Sequence, residues 1–179
     1  MFIMPNSFLL SELRSNITDR IKHKTLYMHT LDDVANWFLA NMKEVSNKKL
    51  QKLMYYAYSW FLTFNNESAK EIRLKFFDAR FEAWVHGAVC PELYNKYKEY
   101  GSSDLPQYTG KIANFSKVEL EILNQVCNIY GKYSGDELEF VCQQEDPWKN
   151  ARKNLNAYEP SSNRIKDSDI FKYYLSRSR

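Results

Sequence analysis

The sequence predicts a mainly α fold: a compact single-domain helical bundle of about six to eight helices, with a small two- or three-stranded β element around residues 72–86. Three observations predict it. Glycine and proline are scarce, 5 of each in 179 residues, so few tight hairpins are available. Apolar residues recur at three-and-four spacing along most of the chain. Ser or Thr followed three residues later by an acid marks repeated helix starts.

Residues 1–29 differ from the rest and read as an N-terminal extension, with the ordered domain over residues 30–179. Leu9, Leu10, Leu13, Ile17 and Ile21 fit one short amphipathic helix or, equally, a loose arm with Arg14, Arg20, Lys22 and Lys24. Thr30 and Asp33 form a short capping box, and Leu31, Val34, Ala35, Phe38, Leu39 and Met42 then share one helical face. Ser46 is the next N-cap. The helix after it carries Leu50, Leu53, Met54, Ala57, Trp60, Phe61 and Phe64, with Tyr55, Tyr56, Tyr58 and Leu62 between them. Apolar nearly all round, it reads as the central buried helix.

The middle of the chain is strand-like. Phe81, Ala83 and Val85 alternate with Glu82 and Trp84, a partner strand is expected from residues 72–77, and His86-Gly87 turns the chain. Pro91 opens a helix that Gly101 ends, and residues 102–115 read as a loop. Ser116 with Glu119 and Ser134 with Glu137 are full capping boxes. Asp146-Pro147-Trp148 reads as an N-cap followed by a helix-initiating proline, and a last helix is expected from about Asp169.

Composition bounds the function. The 25 basic and 22 acidic residues leave a net charge of +3, far from the excess of a dedicated nucleic-acid-binding domain. Cys90, Cys127 and Cys142 form no CxxC pair and point to reduced thiols in the cytoplasm. No secretion signal is read, and Leu53 to Phe64 is too short to cross a bilayer. Neither a metal-ligand motif nor a glycine-rich phosphate loop occurs, so no cofactor and no enzymatic activity are expected. Cys90 with His86 is the one local nucleophile–base pairing, and a buried thiol beside a turn histidine explains it as well.

Two features stand out. Lys48, Lys49 and Lys52 crowd the start of the central helix, against the helix dipole, and could contact an anion or nucleic acid; the plain alternative is solvated lysines. Trp84 and Trp148 each lie beside a turn and a proline-started helix, as binding anchors or as wedges into the core. The aromatic excess, 16% with 13 Tyr and 11 Phe, supplies further anchors. The candidate partner-binding residues are Tyr55, His86, Tyr94, Tyr97, Trp148 and Arg152, with Tyr173 beside them.

The succession of residues 49–57 (KLQKLMYYA), 81–94 (FEAWVHGAVCPELY) and 145–148 (EDPW) resembles the Panacea domain, the SocA-like, phage-associated antitoxin family. The resemblance extends over about residues 30–175. It implies a small helical protein encoded beside a toxin on a prophage or other mobile element. Such a protein neutralises the toxin by direct protein–protein contact, and one branch hands it to a protease. This chain has Gly87-Ala88-Val89 where the family usually has Gly-Pro-Val, and Gln143 where it tends to have His. Both departures bear on partner choice. The alternatives are a nucleic-acid-associated regulator using Lys48, Lys49, Lys52, Arg152, Lys153 and the Arg177 and Arg179 tail, or a phage-encoded inhibitor of a host defence enzyme. No membrane partner is expected.

Overall fold

One helix organises everything around it. In the computed structural model, which describes residues 25–178, this is α2 (Asn47–Asn65), and every residue in it except Lys48 is buried. The described elements run β1 (Leu26–His29), α1 (Leu31–Asn41), α2, β2 (Leu74–Phe77), β3 (Glu82–Trp84), β4 (Gly87–Val89) and α3 (Pro91–Tyr97). They continue with a 3-10 turn (Lys98–Tyr100), α4 (Lys117–Tyr130), α5 (Gly135–Gln143), α6 (Asp146–Arg152) and α7 (Asp167–Arg177). The expected mainly α fold is therefore what forms, with seven α-helices among the described residues. No helix among them is long and apolar enough to cross a membrane.

The helix starts follow local chemistry. The boxes Thr30/Asp33, Ser116/Glu119 and Ser134/Glu137 all close in both directions, and the Ser46 hydroxyl accepts from the Lys49 backbone N–H. At the other end of α2, Asn66 replaces a strand partner. Its amide donates to the carbonyls of Leu62 and Leu74, and its Oδ1 accepts from the N–H groups of Arg73 and Leu74.

Strand pairing departs from expectation. Residues 74–77 do not pair with the 81–85 segment. β2 pairs in parallel with β1, Leu26 opposite Leu74 and His29 opposite Phe77, while β3 and β4 form their own antiparallel hairpin. The segment 26–29, assigned above to the N-terminal extension, thus belongs to the ordered structure; the remainder of that extension, to residue 24, lies outside the described residues. His29 shows why β1 is held. Its ring packs on Phe115 at 4.2 Å and edge-on to Phe76 at 5.7 Å, with Nε2 at 3.2 Å from Glu119 Oε2. Burial pushes Glu119 up, but the hydrogen bonds from His29 and Ser116 outweigh it and hold the carboxyl below its ordinary value.

The α6 start also differs. Its N-cap is Glu145, not Asp146, and the Glu145 side chain makes no cap bond. It turns into the core, where its carboxyl accepts from the Tyr174 hydroxyl of α7 at 2.8 Å. The last helix begins at Asp167 rather than Asp169, and Asp167 accepts from Tyr58 at 3.0 Å and Lys75 at 2.7 Å, tying α7 to α2 and β2. The buried hydroxyls of Tyr55 and Tyr56 feel the Glu145 carboxyl without a hydrogen bond of good geometry.

Burial pushes Glu145 up to about 8, against the opposing hydrogen bond from Tyr174. The native state therefore keeps a proton that the unfolded chain releases near its ordinary value of 4.5. Stability from this group is complete below 4.5 and is lost as pH rises through about 8. Thermal unfolding followed by circular dichroism should show the midpoint falling across that window, and Glu145→Gln should remove that part of the slope. An unchanged slope in the variant would mean that the carboxyl is already ionised in the folded state.

Candidate functional site

The β3–β4 hairpin is where the three sequence motifs meet. A two-residue turn, Val85-His86, leads into Gly87, whose φ of +93° suits glycine. A Cβ at Gly87 would also lie 2.8 Å from Cε of Lys52, so the lysine stem passes directly against this backbone.

Too short to satisfy itself, the hairpin bonds to the backbone of the 163–165 segment, Ala83 N–H donating to the Asn163 carbonyl at 2.8 Å, and takes further hydrogen bonds from helix side chains. From α2, Lys52 Nζ donates to the Ala88 carbonyl at 2.9 Å, and Gln51 Oε1 accepts the Cys90 N–H at 2.8 Å. From α5, Cys142 Sγ accepts the Ala88 N–H at 3.3 Å, and Gln143 donates to the Val85 carbonyl at 2.9 Å. From α6, Trp148 Nε1 donates to the Trp84 carbonyl and Arg152 Nη1 to the Ala83 carbonyl, each at 2.9 Å. Gln143 thus serves as a backbone donor.

Three of the candidate residues, Lys52, Trp148 and Arg152, belong to this framework, and others are buried. Tyr55 is 0% exposed and Arg152 5% exposed, and Tyr97 is also buried, so none presents a ring or charge to a partner in this fold. Arg152 lies over the Trp148 ring at 5.1 Å, and its Nη2 reaches the carbonyls of Asn156, Ala157 and Glu159. Trp148 is half-buried and has its N–H engaged on the hairpin. The lysines are committed as well. Lys52 is inside the core, where burial pushes its ammonium down to about 8, and Lys49 is buried. Lys48 ties Asp136 and Glu139 at 2.7 Å each. Of the three lysines read as an anion or nucleic-acid contact, two are thus buried and the third is half-exposed and paired with two carboxylates. Arg177 packs over Tyr173 at 4.1 Å, and Arg179 lies outside the described residues.

Two candidates reach the surface, His86 with a side chain 67% exposed and Tyr94 at 37%. His86 does not turn toward Cys90. Its Nδ1 lies 2.8 Å from Glu139 Oε1, while Cys90 is buried at the start of α3 with its thiol pushed up by burial. A carboxylate accepts, so Nδ1 carries the hydrogen and Nε2 is left outward. The hydrogen bonds from Lys48 and His86 hold Glu139 below its ordinary value in spite of burial, which pushes it up.

Beside the turn lies a groove of about 760 Å³ lined by Glu82, Trp84, Val85, His86, Tyr158 and Pro160. Trp84 meets Tyr94 edge-on at 5.0 Å, which brings Tyr94 to the same aromatic surface. Tyr158 is 88% exposed although its loop is pinned by Arg152. Sequence reasoning missed Tyr158 because no periodicity marks it; the available signal was an aromatic ring alone in the polar run Asn156-Ala157-Tyr158-Glu159-Pro160.

With this geometry in view, comparison with known proteins gives one match. The family model described as antitoxin SocA-like, Panacea domain, matches residues 50–149, more than half of the chain, from α2 through the hairpin into α6. No curated protein and no solved structure matches.

The Arg152 fork dictates a measurable cost. Lysine offers a point charge and cannot hold the Ala83, Asn156, Ala157 and Glu159 carbonyls together. Arg152→Lys should lose about 2–4 kcal/mol in denaturant unfolding. A loss within about 0.5 kcal/mol would show that the fork does not hold the hairpin.

Proposed function

The chain belongs to the SocA-like, Panacea-domain antitoxin family, and on that premise we propose that it neutralises a toxin protein by direct contact. The observation that supports this reading is the surface beside the hairpin. Trp84, Tyr94 and Tyr158 offer aromatic area on a backbone whose polar groups are already satisfied, so little ordering entropy remains to be lost on binding. A patch of roughly 800 Å² per partner built around such anchors is the usual size of a stable protein interface. The mechanism is occlusion of the toxin's working surface, with no bond made or broken.

In this reading the chain acts in the cytoplasm, its gene lies beside that of the toxin on a prophage or other mobile element, and delivery to a protease is the variant mechanism of one branch of the family. The internal pairing of Lys48 and Lys52 and the burial of Lys49 favour a protein over a nucleic acid as the partner.

Co-expression tests it. Induction of the adjacent gene alone should arrest growth, and this chain should restore growth and co-purify with the product. An interface held by buried aromatics should weaken by less than about tenfold between 50 and 200 mM salt, where one resting on six or more phosphate-type contacts weakens by about a thousandfold. Failure of both rescue and co-purification would defeat the antitoxin reading.

A further inference from the structure

We infer that the groove between Trp84 and Tyr158 receives an arginine side chain carried on an extended segment of the protein partner. The inference rests on the protein-binding reading above and adds the chemistry of what is bound.

Both rings are set in advance. The Trp84 carbonyl is taken by Trp148, and its own indole N–H donates to Glu82 Oε2 at 2.9 Å. Tyr158 sits on a loop whose carbonyls at Asn156, Ala157 and Glu159, before and after the ring, are held by the buried Arg152. A pinned backbone that presents a ring 88% exposed is the arrangement of a binding anchor and not of a core wedge.

The polar groups of the groove select the occupant. Glu82, buried at the wall of the groove, is the one charged side chain of a lining that otherwise offers the hydroxyls of Ser161 and Ser162 and contains neither Lys nor Arg. His86 offers Nε2, because Nδ1 is oriented by Glu139. The indole N–H, which would otherwise suit a peptide or proline carbonyl, is already engaged by Glu82. Aromatic faces with acceptors beside them complement a planar cation that both stacks and donates, which describes guanidinium.

The chain's own Arg80 shows the chemistry at the rim. Its Nε lies 3.3 Å from Glu82 Oε1, and its Nη2 donates to the Ser162 carbonyl at 3.2 Å. Each Glu82 oxygen retains a further acceptor site, so a second guanidinium can share the carboxylate from the groove side. The volume of about 760 Å³ leaves room for the residues flanking the arginine.

The test is a titration of the full chain, labelled with nitrogen-15, with acetyl-Ala-Arg-Ala-amide and with the same peptide carrying citrulline, the neutral isostere. The arginine peptide should shift the Trp84 indole resonance saturably, with a dissociation constant on the order of 1–10 mM for a single anchor. The citrulline peptide should bind at least about tenfold more weakly. Tyr158→Ala, which removes an exposed ring without touching the core, should weaken the arginine peptide about fivefold or more. Equal binding of the two peptides, an unaffected Tyr158→Ala variant, or no saturable shift would each overturn the inference. A chain that rescues growth yet fails this titration keeps the antitoxin reading and loses the arginine; one that binds the arginine peptide but rescues nothing does the reverse.

Discussion

The structure depends on satisfying the backbone of a hairpin whose two strands have three residues each. β3 and β4 are too short to exchange all their hydrogen bonds with each other, and they lie where water cannot supply the rest. The backbone of Asn163 accepts from the outer edge of β3, and six side chains from α2, α5 and α6 supply the other bonds. Each of these bonds also fixes a helix relative to the hairpin, so one requirement positions three helices at once. The family match from residue 50 to residue 149 spans five of the six, which gives its separated motifs a common physical reason.

The same requirement explains the buried ionisable groups. A lysine inside a core is costly unless its ammonium has an acceptor. Lys52 has the Ala88 carbonyl, and glycine at position 87 is what lets the stem reach it. Glu145 is accommodated differently, by retaining a proton and accepting from Tyr174. Glu119 keeps its charge because His29 and the Ser116 N–H both donate to it. These three groups join α2 to the hairpin, α6 to α7 and β1 to α4, so polar contacts hold elements that the apolar core alone would leave free to shift.

The aromatic excess divides into two populations. Most rings stack inside, as Phe61 on Phe76 at 4.6 Å and Tyr56 on Tyr130 at 3.8 Å, and build stiffness. A few stay out, among them Tyr94 and Tyr158. The inner rings pack around α2, whereas Tyr94 projects from α3 and Tyr158 from a loop that Arg152 ties down. Stiffness beneath and open faces above are what a binding surface needs, because the rings then lose little freedom on contact.

Local chemistry in the chain determined the helices. The three capping boxes and the apolar periodicity of α1 and α2 act within a few residues of each other and form as read, and the expected His86-Gly87 turn forms one residue earlier, at Val85-His86. Tertiary structure decided the rest. It paired residues 26–29 with 74–77, drew Lys52 and Arg152 inward, took Glu145 away from its cap, and left Tyr158 exposed. The deciding bonds join residues 36 positions apart for Lys52 with Ala88, and 69 apart for Arg152 with Ala83. No helical or strand period extends that far, and a lysine's composition is the same whether its ammonium meets water or a buried carbonyl; only the folded chain brings the acceptor to it.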